Sequence, residues 1–259
     1  MPPVRFTNAL ADEYASLYND CEIKPDKFSK VDAIVDGVIA DKARYEAVAG
    51  QLDIPWYFIA AIHNLESSRR FTRHLHNGDS LSARTRHVPA GRPAQGTPPF
   101  SWEESAQDAL QLRDLHKNND WSLPRLLYEL EGYNGWGYRQ YHSHVLSPYL
   151  WGYSNHYDQG KYVADGRWSD TAVSNQCGGA VLIRRLEERG LISIGKPAGQ
   201  KVPFFQHSDK QQPRADDLQR FLNTFADTHL RVDGKPGNKT SDAVARIFGH
   251  RLHKDPRDA

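Results

Sequence analysis

The apolar stretch from Ile54 to Leu65 constrains the fold of this chain more than any other segment. Nearly every position in it is apolar, so no polar stripe remains that would face solvent. A segment with that pattern predicts a helix buried at the centre of a helical domain. Pro55 fits the first turn of such a helix, and Asp53 is predicted to cap it.

The buried helix is predicted to end at a carboxylate, Glu66. A carboxyl group at the solvent end of a buried helix is expected to have a raised pKa. It then stays protonated near neutral pH, as a general acid must. Asp79 follows in the turn sequence Asn-Gly-Asp, and Thr85 stands six residues later. Two carboxylates in unlike environments, with a hydroxyl nearby, are typical of glycoside hydrolysis.

Three short motifs carry a family resemblance. The stretch IAAIHNLESS, which ends just after Glu66, resembles the catalytic helix of the lysozyme superfamily, particularly goose-type lysozymes and soluble lytic transglycosylases. Asp79 and Thr85 after Glu66 resemble the Glu-Asp-Thr triad of phage-type lysozymes, although the Glu-to-Asp step is longer here. Tyr133-Asn134-Gly135 resembles the Tyr-Asn-x-Gly motif that lines the transglycosylase sugar cleft. The resemblance spans roughly residues 44–191.

The resemblance implies a mainly α, lysozyme-like α+β fold. A helical body would carry a small β-hairpin lobe between residues 69 and 100, and this lobe would form the second wall of a saccharide cleft. The implied catalytic residues are Glu66, Asp79 and Thr85. The predicted substrate-binding residues are His63, Tyr133, Asn134, Tyr149 and Trp151.

Apolar periodicity predicts the supporting helices. Thr7 is predicted to cap the first helix, and the Ser101 to Glu104 segment matches a capping box that predicts another helix start. The predicted helices cover residues 8–18, 31–50, 101–117, 125–131 and 170–189.

Composition divides the chain into three parts. Residues 1–194 are predicted to form the catalytic domain, and residues 195–213, rich in Pro, Gly, Gln and Lys, a linker. Residues 214–259 resemble a peptidoglycan-binding module, with the pattern Leu-Gln, Leu-Asn, Val-Asp-Gly, Gly, Thr and Ala-Val, although the segment is shorter than that module. A helical tail packed on the body is the alternative for this part.

Charge and residue usage exclude several classes of function. The net charge is +1 and no basic stripe stands out, so a nucleic-acid partner is not expected. The twelve histidines match no metal-ligand spacing, so neither a metal nor another cofactor is predicted. Cys21 and Cys177 are expected to be free thiols. The sequence shows no signal peptide and no apolar run of membrane-spanning length.

These features predict a peptidoglycan hydrolase, an endolysin-like muramidase that cleaves the β-1,4 bond between N-acetylmuramic acid and N-acetylglucosamine. It is expected to be a monomer, made in the cytoplasm and released to the cell wall by a holin, a secretion system or lysis. Three alternatives remain open: a lytic transglycosylase giving 1,6-anhydro products, a chitinase or chitosanase, and a non-catalytic wall-binding or phage structural protein.

Overall fold

The structure is a computed structural model that describes residues 4–164, 166–194 and 205–258. The chain divides into two compact units, Met1–Gly195 and Lys196–Ala259. Both units are mainly helical, and the first also contains a small two-stranded antiparallel sheet. The mainly α class predicted from the sequence is therefore confirmed at that level.

Within its described residues, the first unit contains α-helices, two short 3₁₀ turns and one β-hairpin. Its helices are α1 (Asn8–Asn19), α2 (Phe28–Ala40), α3 (Lys42–Leu52), α4 (Trp56–Ser67), α5 (Trp102–Leu112), α6 (Leu123–Asn134), α7 (Gly137–Tyr141), α8 (Pro148–Trp151) and α9 (Gly179–Glu188). The 3₁₀ turns are Pro25–Lys27 and Leu115–Lys117, and the strands are β1 (Lys161–Ala164) and β2 (Arg167–Ser169).

Helix α4 lies at the centre of the first unit, as its apolar sequence predicts. It packs against α3, α6 and α9, and the side chains from Phe58 to Ile62 have no exposed surface. The hydrophobic effect thus fixes the whole helix, because no face of it can turn to solvent without exposing apolar area. The packing of this core therefore also fixes the position of the last turn of α4, which carries Glu66.

The sequence locates helix starts well where capping chemistry is local. Thr7 accepts a hydrogen bond from the Leu10 amide at the start of α1, and Ser101 and Glu104 form the complete capping box of α5. Asp53 does not cap α4 as predicted, because it adopts a left-handed conformation that ends α3. Its backbone therefore belongs to the preceding helix, and Pro55 stands at the start of α4.

Three other predicted elements differ from the structure. The single helix predicted over residues 31–50 is two helices, α2 and α3, separated at Asp41. The helix predicted from residue 170 begins only at Gly179, after an irregular segment. The β-hairpin predicted between residues 69 and 100 is a loop with one isolated bridge, Arg73 to Ser80, and the paired strands lie at residues 161–169 instead.

The second unit contains α10 (Ala215–Leu222), α11 (Asn238–Phe248) and a 3₁₀ turn, Pro256–Asp258. Its polar centre is Gln219, which is buried. The side-chain carbonyl oxygen of Gln219 accepts hydrogen bonds from the Asp233 and Gly234 backbone amides. Its side-chain NH₂ group donates to the Thr240 hydroxyl. The Gln, Asp-Gly and Thr of the module-like pattern therefore hold the fold of this unit together.

Only the second part of the predicted linker of residues 195–213 lies within the described residues. Residues 195–204 lie outside the described residues. Residues 205–213 are hydrogen-bonded into the second unit. The His207 amide donates to the His253 carbonyl at 2.8 Å, and the Gln212 amide donates to the Gly234 carbonyl at 2.9 Å. That part of the predicted linker is therefore part of the second unit.

Two further expectations from the sequence concern the two cysteines and the length of the helices. Cys21 and Cys177 are buried free thiols, which confirms the predicted absence of a disulfide between them. Across the described ranges, every helix is too short or too polar to cross a bilayer.

Candidate active site

Glu66 stands in the last turn of α4, where the helix ends abruptly. Ser68 and Arg69 both adopt left-handed conformations, and the Arg69 amide donates back to the His63 carbonyl at 3.1 Å. The chain leaves the helix within two residues of Glu66, so its side chain lies at the boundary between the core and the surface. The negative end of the helix dipole also disfavours a charged carboxylate at this position.

The Glu66 carboxyl group has a raised pKa. Burial raises the pKa of Glu66 from its ordinary 4.5 to about 7, and the positive charge of Arg113 only partly opposes this. Among the described residues, its carboxylate makes no hydrogen bond and no ion pair. The side chain is only partly buried, so it keeps contact with solvent. A proton held near neutral pH on a solvent-accessible acid is available for transfer.

The segment that carries Asp79 packs directly on the end of α4. A side chain at Gly78 would place its Cβ 2.7 Å from the Glu66 carbonyl oxygen, and Gly78 has a φ of +76°. Only glycine satisfies both the close approach and the left-handed backbone. The structure therefore packs the segment containing Asp79 against the backbone of Glu66.

Asp79 is held as a carboxylate. Burial acts to raise the pKa of Asp79, but hydrogen bonds from the His87 backbone and ring and from the Arg86 backbone outweigh it and lower the pKa to about 2. The His87 Nδ1 atom lies 2.7 Å from one Asp79 oxygen, and the two backbone amides donate to the other. Glu66 and Asp79 thus have pKa values displaced in opposite directions by their surroundings.

Thr85 lies within the loop that follows Asp79. Its hydroxyl donates to the Pro89 carbonyl at 2.5 Å and accepts from the Arg92 amide at 2.9 Å. Only 3% of its surface is exposed. The single hydroxyl proton is already used inside the loop, so Thr85 can contribute to a water site only as an acceptor.

Two of the predicted sugar contacts lie beside Glu66. The Tyr133 hydroxyl donates to the Leu75 carbonyl at 2.9 Å, which fastens α6 to the loop before Asp79. Burial and then the charge of Glu66 raise the pKa of both Tyr133 and Tyr149. Of the two, Tyr149 is the more accessible, being only partly buried.

The other predicted sugar contacts are placed differently. His63 has no exposed surface, and its Nδ1 atom lies 3.0 Å from the Tyr45 hydroxyl within the core. Trp151 is 1% exposed and packs edge-on against His156. Asn134 is partly buried at the end of α6, where its amide donates to the Leu130 carbonyl at 3.2 Å. In this conformation His63 and Trp151 cannot touch a sugar, so neither belongs to the site surface.

Arg113 was missed by the sequence analysis. Its guanidinium lies 4.2 Å from the centre of the Tyr133 ring, a cation–π contact, and its charge acts on Glu66. It stands just after α5, far from Glu66 in sequence, and no motif marks it. Only the packing of α5 beside the loop brings it to the site.

A buried polar network behind the site was also missed. Asp108 accepts two hydrogen bonds from Arg92 and one from His76, at 2.6–2.8 Å. The Ser105 hydroxyl lies 2.8 Å from a nitrogen of His74 and 3.5 Å from one of His76. Ser105 has no exposed surface, so this Asp-His-Ser arrangement cannot act as a nucleophilic triad. It instead anchors the loop on either side of Asp79 to α5.

The described residues contain no cluster of three or more His, Cys, Asp or Glu side chains arranged to hold a metal ion.

In the second unit, an open cavity of about 600 Å³ lies beside the Asp233-Gly234 turn, which is hydrogen-bonded to Gln219 and is called here the Gln219 turn. Its lining residues are Gln211, Gln212, Pro213, Arg214, Asp216, Arg220, Val232, Asp233 and Gly234.

We compared the chain with protein-family models, with curated proteins and with solved structures, and none of the three comparisons finds a match.

Proposed function

We propose that this protein cleaves the β-1,4 bond between N-acetylmuramic acid and N-acetylglucosamine in peptidoglycan, with Glu66 as the general acid. One observation carries the proposal: a glutamate ends a helix whose side chains are almost all buried, has no partner among the described residues, and has a pKa raised by burial to about 7. Lysozyme is the standard worked example of this chemistry, in which a carboxylic acid kept neutral by an apolar site protonates the leaving oxygen.

In the proposed reaction, protonated Glu66 transfers its proton to the glycosidic oxygen as that bond breaks. Asp79, ionised at neutral pH because its pKa is about 2, stabilises the oxocarbenium-like transition state. A water molecule then adds to the sugar carbon, its proton returns to Glu66, and both products leave with hydroxyl groups. Tyr149 beside Glu66 supplies a partly exposed aromatic surface for a sugar ring.

A second candidate is a lytic transglycosylase, which needs one acidic residue and no attacking water. The observation that favours it is the state of Asp79 and Thr85, the two residues that would have to hold or activate that water in hydrolysis. The Thr85 hydroxyl proton is bound to Pro89, and both Asp79 oxygens accept hydrogen bonds from residues 86 and 87. In this route the substrate's own 6-hydroxyl attacks, and the product is a 1,6-anhydro sugar.

The second unit is proposed to bind the cell wall, as its module-like pattern suggests. Its open cavity beside the Gln219 turn is the surface we assign to that contact. Retention of the full chain on purified wall sacculi tests this part, because an Asp216→Ala and Arg220→Ala double variant should be retained less. Unchanged retention by that variant would remove the cavity from the proposal.

Mass spectrometry of the products tests the main proposal. Purified peptidoglycan is digested with the wild type and with Glu66→Gln and Asp79→Asn variants. Hydrolysis gives muropeptides with a hydrated reducing end and a large loss of rate in Asp79→Asn. Transglycosylation gives products lighter by one water, with much of the rate kept in Asp79→Asn. A Glu66→Gln protein that still cleaves peptidoglycan refutes both routes.

A further inference from the structure

The β-hairpin of the first unit presents a cluster of aromatic side chains that the active site does not use. Tyr162 on β1 is the register partner of Trp168 on β2, so both lie on one face of the hairpin. Their ring centres are 5.2 Å apart. His142, just after α7, stacks on Trp168 with ring centres 3.5 Å apart and planes 7° apart. We name His142, Tyr162 and Trp168 the hairpin platform.

The hairpin platform is separate from the hydrophobic core. All three side chains are partly exposed, and none of them belongs to the core cluster of the first unit. Trp168 is fixed in place by a hydrogen bond from its indole nitrogen to the Asp170 carboxylate at 2.7 Å. Three ordered aromatic rings left at the surface, with their orientations fixed, are better suited to contacting a ligand than to stabilising the fold.

Glycines allow the hairpin to approach the helical body closely. A Cβ on Gly137 would lie 3.2 Å from the Tyr162 hydroxyl oxygen, and one on Gly160 would lie 3.0 Å from the Trp168 ring. Gly160 also has a φ of +93°, which side chains disfavour. A side chain at Gly137 would press on the Tyr162 ring and one at Gly160 on the Trp168 ring, so the two glycines leave room for the platform rings where they lie.

An unbroken series of ring contacts joins the hairpin platform to the proposed active site. Tyr138 on α7 contacts both Tyr162 and Trp168 edge-on, with ring centres 5.5 Å away in each case. The same Tyr138 ring contacts Tyr149 edge-on at 5.8 Å. Tyr149 is one of the two tyrosines, with Tyr133, whose pKa is raised by the charge of Glu66. Tyr138 itself is buried, so the platform lies two ring contacts from Tyr149, on the other side of this one buried ring.

We propose that the hairpin platform is an outer sugar subsite, which stacks an N-acetylated amino sugar of the glycan strand on the outer face of the stacked His142–Trp168 pair. This inference rests on the proposed function, since the occupant is the same strand that reaches Glu66. The face of a pyranose ring carries C–H groups that pack on aromatic rings, and its hydroxyl groups remain at the solvent-exposed edge. The platform would hold a strand in place several sugars long, while contributing nothing to the bond-breaking step.

Binding by an inactive protein tests the subsite without depending on turnover. The full-length Glu66→Gln protein is titrated calorimetrically with the β-1,4-linked hexamer of N-acetylglucosamine, and then with the trimer. Adding Trp168→Ala should weaken hexamer binding about tenfold, the loss typical of truncating a central aromatic contact, and should leave trimer binding unchanged. The matched control is Val163→Ala, because Val163 is an exposed residue of the same hairpin and not part of the platform.

Trp168→Phe separates a binding role from a structural one. This variant keeps a flat ring, so hexamer affinity should return to within about twofold of the parent. The parent should also show a change in tryptophan fluorescence on adding hexamer, and this change should disappear in Trp168→Phe. Every tryptophan of the chain lies in the first unit, so sugar bound to the second unit does not contribute directly to that signal.

The possible results distinguish failure of the subsite from failure of the proposed function. Equal hexamer affinity in the parent and in Trp168→Ala overturns the subsite, and so does a parent that binds no hexamer. Either result leaves the role of Glu66 to be judged by product analysis. Conversely, a Glu66→Gln protein that binds hexamer through Trp168 but cleaves peptidoglycan at the wild-type rate keeps the subsite and refutes Glu66 as the acid.

Discussion

Two glutamates in the first unit, Glu66 and Glu131, both have a pKa that burial raises, but their surroundings are opposite. Glu66 lies in the last turn of α4 and has no partner among the described residues. Glu131, which is 2% exposed within α6, has two hydrogen-bonding partners. The Tyr14 hydroxyl donates to Glu131 at 2.6 Å, and Arg139 donates to the same oxygen at 2.8 Å. Burial raises the pKa of both carboxyl groups.

The difference between these glutamates shows that burial alone does not identify a catalytic acid. Arg139 also contacts Glu13 at 2.9 Å, so Glu131 is part of an ion-pair network that ties α1 and α6 together. Among the described residues, Glu66 makes no such link, and its burial lowers stability without a compensating contact. An unpaired acid of this kind is expected where the chemistry needs a proton.

The largest expected contrast is in activity. Glu66→Gln should lose about 10²–10⁴-fold in the rate of peptidoglycan cleavage, the contribution usual for a general acid. Glu131→Gln should keep most of its specific activity when measured at a temperature at which it is folded. The rate of clearing of purified sacculi, normalised to folded protein by circular dichroism, makes the comparison. Equal losses in the two variants would remove the distinction.

The second contrast is in stability, with the order of the two variants reversed. Glu131→Gln should lower the free energy of unfolding by about 3 kcal/mol, because Arg139 is left half-buried without its main counter-charge. Glu66→Gln should not destabilise the protein at neutral pH. Urea unfolding of both variants beside the wild type gives the two differences directly. A destabilised Glu66→Gln protein would mean that the carboxyl group has a structural partner after all.

The dependence of stability on pH sharpens the comparison. The pKa of Glu66 is about 7 when folded and 4.5 ordinarily, so the folded state holds its proton more tightly. Ionisation of Glu66 therefore opposes folding. The wild type should lose up to about 3 kcal/mol relative to Glu66→Gln as pH rises from 4.5 to 7, and the difference should level off above that. Unfolding curves that stay parallel across this range would contradict the raised pKa.

The smallest expected effect concerns Arg113. Its positive charge lowers the pKa of Glu66 against the larger effect of burial. Arg113→Gln should therefore shift the alkaline limb of the activity profile upward by only a few tenths of a pH unit, since this guanidinium is exposed and screened by solvent. High salt should screen the Arg113 charge in the wild type and so move its alkaline limb in the same upward direction. A downward shift would show that Arg113 acts on Glu66 by some other contact.

Local patterns in the sequence were enough to predict α4, the Thr7 cap and the Ser101 capping box, because each depends on residues within one or two turns. The position of the hairpin was not predictable in this way. The Asn-Gly-Asp turn is followed by side chains that bond to α5 instead of to a second strand, as the Arg92 to Asp108 pair shows. A turn signal specifies a bend, but only tertiary contacts decide whether strands pair beside it.

The candidate site was predictable in part for the same reason. Glu66 is marked by its place at the end of an apolar run, which is local information. The burial of His63 in the core and the position of Arg113 beside Tyr133 depend on how α3, α5 and α6 pack around α4. No short motif encodes that packing. The partners of Glu131 are equally remote, since Tyr14 lies more than a hundred residues away in sequence. Sequence reasoning therefore identified Glu66 as the candidate acid but could not tell which carboxyl group was paired.

Carbon-13 NMR titration of the glutamate side-chain carboxyl groups tests the central claim most directly, with the Glu66→Gln protein used to assign the Glu66 signal. We expect the Glu66 carboxyl to titrate with a midpoint near pH 7, well above the 4.5 that is ordinary for the residue. A Glu66 midpoint at or below 4.5 would contradict the account, because the residue would then be a carboxylate at neutral pH with no proton to give.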